Sequence, residues 1–153
     1  RVQNGGGFSV EKAVGRMITL TVPIDSKLHA HAKGHWRSKA AATKSLRQLA
    51  FMLVAEQTKV VGPCILDIQF SYPDKRRRDL LNSCQSLKPA IDGVVDAGKI
   101  EGDHWGVLSI GKITVELGAR LQAKLTFRSA HAVGEECPHC KTHQSLCKCS
   151  NRS

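Results

Sequence analysis

A chain of 153 residues, 41% of them hydrophobic, has the length of one packed domain and enough apolar side chains to build its core. No apolar run approaches the ~18 residues that a membrane-spanning helix needs, and the polar, glycine-rich opening does not read as a secretory leader. The net charge of +10 is concentrated in clusters, which points to an anionic partner, nucleic acid before membrane, for a protein expected inside the cell.

In chain order, residues 1–16 show no sustained period and read as a flexible lead-in. From Met17 to Ile24, apolar Ile18, Leu20, Val22 and Ile24 alternate with Thr19 and Thr21, the period of a half-buried strand. A polar loop rich in His and Lys covers 25–38. A helix is expected from about Ser38 to Thr58, with Leu46, Leu49, Ala50, Leu53 and Val54 on one face. Gly62-Pro63 turns the chain into a second strand, where Cys64, Leu66, Ile68 and Phe70 alternate with Asp67, Gln69 and Ser71. A second helix begins near Asp79, is kinked or restarted at Pro89, and stops at Gly98. Val107–Leu117 and Arg120–Phe127 alternate again and read as a β-hairpin joined near Gly118. The order β-α-β-α-β-β predicts an α/β or α+β domain over 17–129, a small mixed sheet with two main helices. From 130 onward a Cys/His-rich tail replaces the apolar pattern.

The stretch between the second strand and the second helix carries the chemistry. Lys75, Arg76, Arg77 and Arg78 are four consecutive cations, suited to a phosphate backbone. Asp79 sits where a helix N-cap belongs, with Asn82 three residues on. A carboxylate beside four cations also suits a metal ion at bound DNA, since Mg²⁺ needs only one or two carboxylates besides its waters. Asp103, in the turn before the third strand, is the candidate second carboxylate; its ordinary role would be turn formation after Gly102. Glu101 and His104 flank it. Lys88 and Asp92 stand i, i+4 apart on the second helix, either a surface ion pair or a charge stabiliser facing a scissile phosphate.

Taken together, the segment PDKRRRDLLNSCQSLKPAIDGVVDAGKIEGDHWG (73–106) resembles the RusA family of Holliday-junction resolvases. Arg76 to Arg78 match the family's basic cluster, Asp79 its first catalytic Asp, and Asn82 its Asn. Lys88 and Asp92 match its Lys-x-x-x-Asp element, Ala97-Gly98 its turn, and Asp103 its last catalytic Asp. Leu81 takes the place of the family's second Asp, and Gly102 that of the first residue of the late acidic pair. The interval from Asp79 to Lys88 is three residues longer than in the best-known members.

The resemblance implies a Mg²⁺-dependent (or Mn²⁺-dependent) endodeoxyribonuclease that resolves four-way junctions by paired nicks in recombination or repair, leaving 5′-phosphate and 3′-hydroxyl ends. Asp79, Asp103, Asn82 and Asp92 are then the expected metal site, with Lys88 beside the developing charge. Lys75, Arg76, Arg77, Arg78, Lys27, Lys33 and Arg37 are the expected DNA contacts, and a C₂ homodimer the expected assembly. With Leu81 in place of a carboxylate, a junction-binding protein that does not cut is the alternative.

The tail adds Cys137 and Cys140 in a C-x2-C pair and Cys147 and Cys149 in a C-x-C pair, a set able to close a tetrahedral Zn²⁺ site. A zinc-binding interaction module on a basic anchor is therefore the third reading. Cys64 and Cys84, single and in apolar surroundings, read as buried thiols.

Overall fold

The computed structural model describes residues 17–29 and 32–130, which form a mixed α+β fold. Four strands, β1 (Met17–Pro23), β2 (Cys64–Tyr72), β3 (Leu108–Leu117) and β4 (Gln122–Ser129), make one sheet in the order β1-β4-β2-β3. The helices are α1 (Trp36–Val54), α2 (Leu80–Gln85) and α3 (Lys88–Asp96), with a 3₁₀ turn at Ser26–Leu28. Among the described residues no helix is long and apolar enough to cross a membrane.

The alternation expected for the first two strands holds, and it explains the sheet order. Three apolar rows cross the sheet: Ile18-Phe127-Leu66, Leu20-Leu125-Ile68 and Val22-Ala123-Phe70, each with its β4 residue in the middle. All nine side chains are buried. At about 25 cal/mol per Å² of apolar surface removed from water, a central strand covered on both flanks gains more than an edge strand. β4 takes that place, and its inward residues Ala123, Leu125 and Phe127 are apolar without interruption.

The expected hairpin does not form. β3 runs parallel to β2 on one side of it, while β4 runs antiparallel to β2 on the other. The connection passes across the end of β2 instead of folding back. Gly118 N–H donates to the Tyr72 carbonyl at 2.9 Å, and a β-carbon on Gly118 would lie 2.0 Å from the Ser71 hydroxyl oxygen. A two-residue hairpin turn wants positive φ, whereas the positive-φ glycines here are Gly62, Gly98 and Gly106. Gly118 serves close approach, not turn chirality.

The helices lie against the core face of the sheet. α1 starts two residues before the expected Ser38, at Trp36, and ends at Val54 instead of Thr58. Its buried stripe is Leu46, Ala50 and Val54; Leu53, expected inside, is 42% exposed. The second predicted helix divides into α2 and α3, and Pro89 occupies the first turn of α3, where its missing N–H costs nothing. Gly98 (φ +66°) ends it as expected.

α1 and α3 cross closely at Gly93. A β-carbon there would fall 2.2 Å from the Arg47 carbonyl oxygen and 3.0 Å from the Ala50 methyl. Arg47 then reaches Asp96 with two nitrogens, at 2.5 and 2.8 Å. Since backbone cannot yield as a flexible side chain would, Gly93→Ala is expected to lower unfolding free energy by about 1–3 kcal/mol or more. Urea titration followed by circular dichroism checks it.

Candidate active site

Two small polar assemblies contain the predicted catalytic residues. The first is centred on Lys88, the opening residue of α3. Its ammonium donates to Asp92, one helical turn on, and to Asp103 Oδ2 at 2.5 Å. The spacing on α3 accounts for the first contact. The second depends on the loop from 97 to 107 being pinned at several points. Val60 N–H donates to the Lys99 carbonyl at 2.9 Å, and Gly62 N–H to Glu101 Oε1 at 3.1 Å. The His104 carbonyl accepts from Val107 and Leu108 at 3.2 and 3.0 Å, and Cys64 N–H donates to the Val107 carbonyl at 2.7 Å. Glu101 is thus a structural tie. The His104 ring lies over Gly102, whose β-carbon would come within 2.8 Å of Nδ1.

Three charges therefore meet at the surface, two negative and one positive. The hydrogen bond from Lys88 holds the Asp103 carboxyl below its ordinary pKa, against a smaller opposing effect of burial. Asp103 first, then Asp92, push the Lys88 ammonium above its own.

The second assembly is the start of α2. Asp79 is its N-cap: Oδ1 accepts from the backbone N–H of Leu81 and of Asn82 at 2.9 and 3.2 Å, and Oδ2 from the Asn82 side-chain amide at 2.9 Å. Beneath it, the Tyr72 hydroxyl donates to Ser83 Oγ, and Ser83 Oγ to the Asp79 carbonyl, both at 3.0 Å. Arg78 lies over the Tyr72 ring at 4.3 Å and pairs with Asp74 at 2.9 Å. Tyr72, Arg78, Asp79, Asn82 and His29 line one cavity with Ile24 and Leu121. Tyr72, Ser83 and His29 carry no signal of this role in the sequence, apart from the aromatic residue standing two positions before the Asp74 loop.

Asp103 thus meets Asp92 through Lys88, while Asp79 meets Asn82. Among the described residues Asp79 and Asp103 have no common hydrogen-bonding partner. Leu81, at the position of the missing carboxylate, is 73% exposed and donates no oxygen. Two carboxylates turned to the same ammonium form a donor pair of the kind Mg²⁺ accepts alongside water. No group of three His, Cys, Asp or Glu donors occurs among the described residues.

Lys75, Arg76 and Arg77 are exposed, as are Lys27, Lys33 and Arg37. Arg37 lies 5.4 Å from the centre of the exposed Trp36 ring. Cys64 is buried and Cys84 half-buried, and burial pushes both thiols up. Residues 1–16 and the four tail cysteines, Cys137, Cys140, Cys147 and Cys149, lie outside the described residues.

The two partners of this ion pair respond to pH in opposite directions. Because the folded pKa of Asp103 is depressed, its ion pair stabilises the chain above the unfolded value of about 3.9 and is lost as pH falls through the lower folded value. The raised Lys88 pKa gives stability that is complete below about 10.4 and lost as pH rises through the folded value. In Lys88→Met the Asp103 carboxyl is expected to titrate higher, read by carbon NMR of the side-chain carboxyl. An unmoved midpoint would show that the ammonium does not set it. No protein-family model matches this chain and no curated protein matches it.

Proposed function

We propose that this chain is a Mg²⁺-dependent, structure-selective endodeoxyribonuclease that resolves four-way DNA junctions by paired nicks. The supporting observation is the meeting of Asp92 and Asp103 on Lys88, from residues separated by a helical turn and by a pinned loop. An ordinary surface ion pair needs one carboxylate per cation. A second one, drawn in from another element, leaves local negative charge suited to a divalent cation.

Asp103 and Asp92 would hold the ion; Asp79, which the resemblance also implies as a ligand, stands in the separate assembly at the start of α2. When bound, Mg²⁺ supplies a water of lowered pKa and polarises the phosphodiester. Lys88 orients both acids and carries the positive charge that offsets what develops on the phosphoryl oxygens. As a ligand Asp79 would have a double duty, since it also satisfies backbone donors at the start of α2. Lys75, Arg76 and Arg77, exposed on the preceding loop, would grip the backbone. Lys27, Lys33 and Arg37 would extend that grip.

The exposed Leu81 favours one second reading, a protein that binds junctions without cutting them. A labelled four-way junction with Mg²⁺ or with EDTA separates the two. Paired nicks near the crossover that require Mg²⁺ and vanish in Asp103→Asn support the nuclease; shifted, intact DNA supports the binder. Lys88→Ala is expected to slow cleavage by about 10²–10³-fold. Asp79→Asn should keep the helix cap yet lose cleavage, whereas Asp79→Ala should also lose about 1 kcal/mol of stability.

Both readings share a prediction for the basic loop. Arg77→Ala should weaken binding to any DNA sequence and reduce the slope of log K against log salt by about 1. Titrations at several salt concentrations measure it; an unchanged slope would remove Arg77 from the interface.

A further inference from the structure

Among the described residues, β3 is an edge strand whose side chains are left uncovered. It has β2 on one side and no strand on the other among the described residues, and all ten of its residues are exposed or half-buried. The core face of the sheet nevertheless continues onto it. Ile110, Ile113, Val115 and Leu117 stand in register with buried Leu66, Ile68, Phe70 and Tyr72. Ile110, Val115 and Leu117 remain 57%, 57% and 58% exposed. A long apolar edge of this kind is a template for another strand.

The opposite face of β3 says which strand. Thr114 and Glu116 are in register with Gln69 and Ser71, and Gln69 Nε2 donates to Glu116 Oε2 at 2.7 Å, which keeps that carboxylate on the outer face. Lys112 lies beside Asp67, whose Oδ1 accepts from the Lys112 backbone N–H at 2.7 Å. Lys112 and Glu116 are thus opposite charges placed symmetrically about Thr114. The irregularity opposite Asp67 lies at the Lys112 end, leaving Ile113–Leu117 regular.

We propose that the free edge of β3 pairs antiparallel with β3 of a second copy of this chain, about a two-fold axis through Thr114 and perpendicular to the sheet. In that register Lys112 lies opposite the second copy's Glu116, and Glu116 opposite its Lys112. Ile113 meets Val115 twice and Thr114 meets itself. Directly opposed residues share a face, so the two apolar strips join on the helix side and the four charges alternate on the other. Centring the axis one residue earlier would set Lys112 against Thr114 and Glu116 against Ile110. An unrelated strand would bring no charges to answer this lysine and glutamate, which is how charged edges repel strangers. A second copy is the partner whose charges answer both.

The dimer expected from the resemblance thereby acquires a surface, a register and a charge code. The inference does not depend on cleavage: an uncutting dimer and a cutting monomer are distinct outcomes. The basic loop lies next to this edge, since Lys75, Arg76 and Arg78 line a cavity with Leu80, Val115 and Leu117. Two such loops would flank the axis, as the symmetry of a four-way junction requires.

Sedimentation equilibrium of the full chain, of Lys112→Glu, of Glu116→Lys and of an equimolar mixture of the two variants tests the register. The unaltered chain should be a dimer. Each variant alone should dissociate about tenfold or more readily, because both charge pairs become repulsive. The mixture should regain the dimer, since one copy's two glutamates face the other's two lysines. Thermal melts by circular dichroism confirm that each variant is folded. A monomeric parent chain, variants that dimerise as well as the parent, or a mixture that stays monomeric would each overturn the proposal; the last two would also direct attention to another surface or to residues 1–16 and 131–153 as cover for this edge.

Discussion

The burial of β4 between β1 and β2 governs the rest of the architecture. Phe127, Leu125 and Ala123 each complete a row whose outer members lie on the two neighbouring strands. With both flanks of β4 taken, β3 joins beyond β2, and it runs parallel to β2 because the chain returns to the Cys64 end through the loop from 97 to 107. That loop carries Asp103. The apolar packing of the sheet thus determines where the acidic turn arrives.

At the surface, a different balance operates. Asp103 and Asp92 are brought close enough to share one ammonium, and Lys88 offsets only one of the two charges. Like-charged carboxylates raise each other's cost of ionisation, and a cation between them relieves it. The arrangement is a surface cluster in which one negative charge is left over. Asp79 is engaged differently, both of its carboxylate oxygens being taken up at the start of α2.

Local spacing makes several features legible. The i, i+4 interval of Lys88 and Asp92 and the cap formed by Asp79 follow from helix geometry, and both occur. Pro89 marks the division of the second helix for a covalent reason, the absence of an N–H. Alternation locates the strands within a residue or two, but it carries no information about neighbours, so β3 and β4 read as partners although each pairs with β2 instead. The contact of Asp103 with Lys88 spans 15 residues and a folded loop. No periodicity encodes it, and the sequence alone suggests Asp79 as the partner of Asp103. The Tyr72–Ser83 hydrogen bond is invisible for the same reason, and because serine in an apolar run resembles a spacer.

Arg78 carries a lesson about reading charge from a string of letters. Its guanidinium is stacked on Tyr72 and engaged by Asp74, so an arriving phosphate would have to displace an anion already in place. The gain at that arginine would be the difference between two ion pairs, a smaller quantity than the attraction of a free cation. Of four adjacent positive residues, this one is best understood as furniture, its guanidinium tied to the Asp74 and Arg76 carbonyls so that the loop keeps its shape.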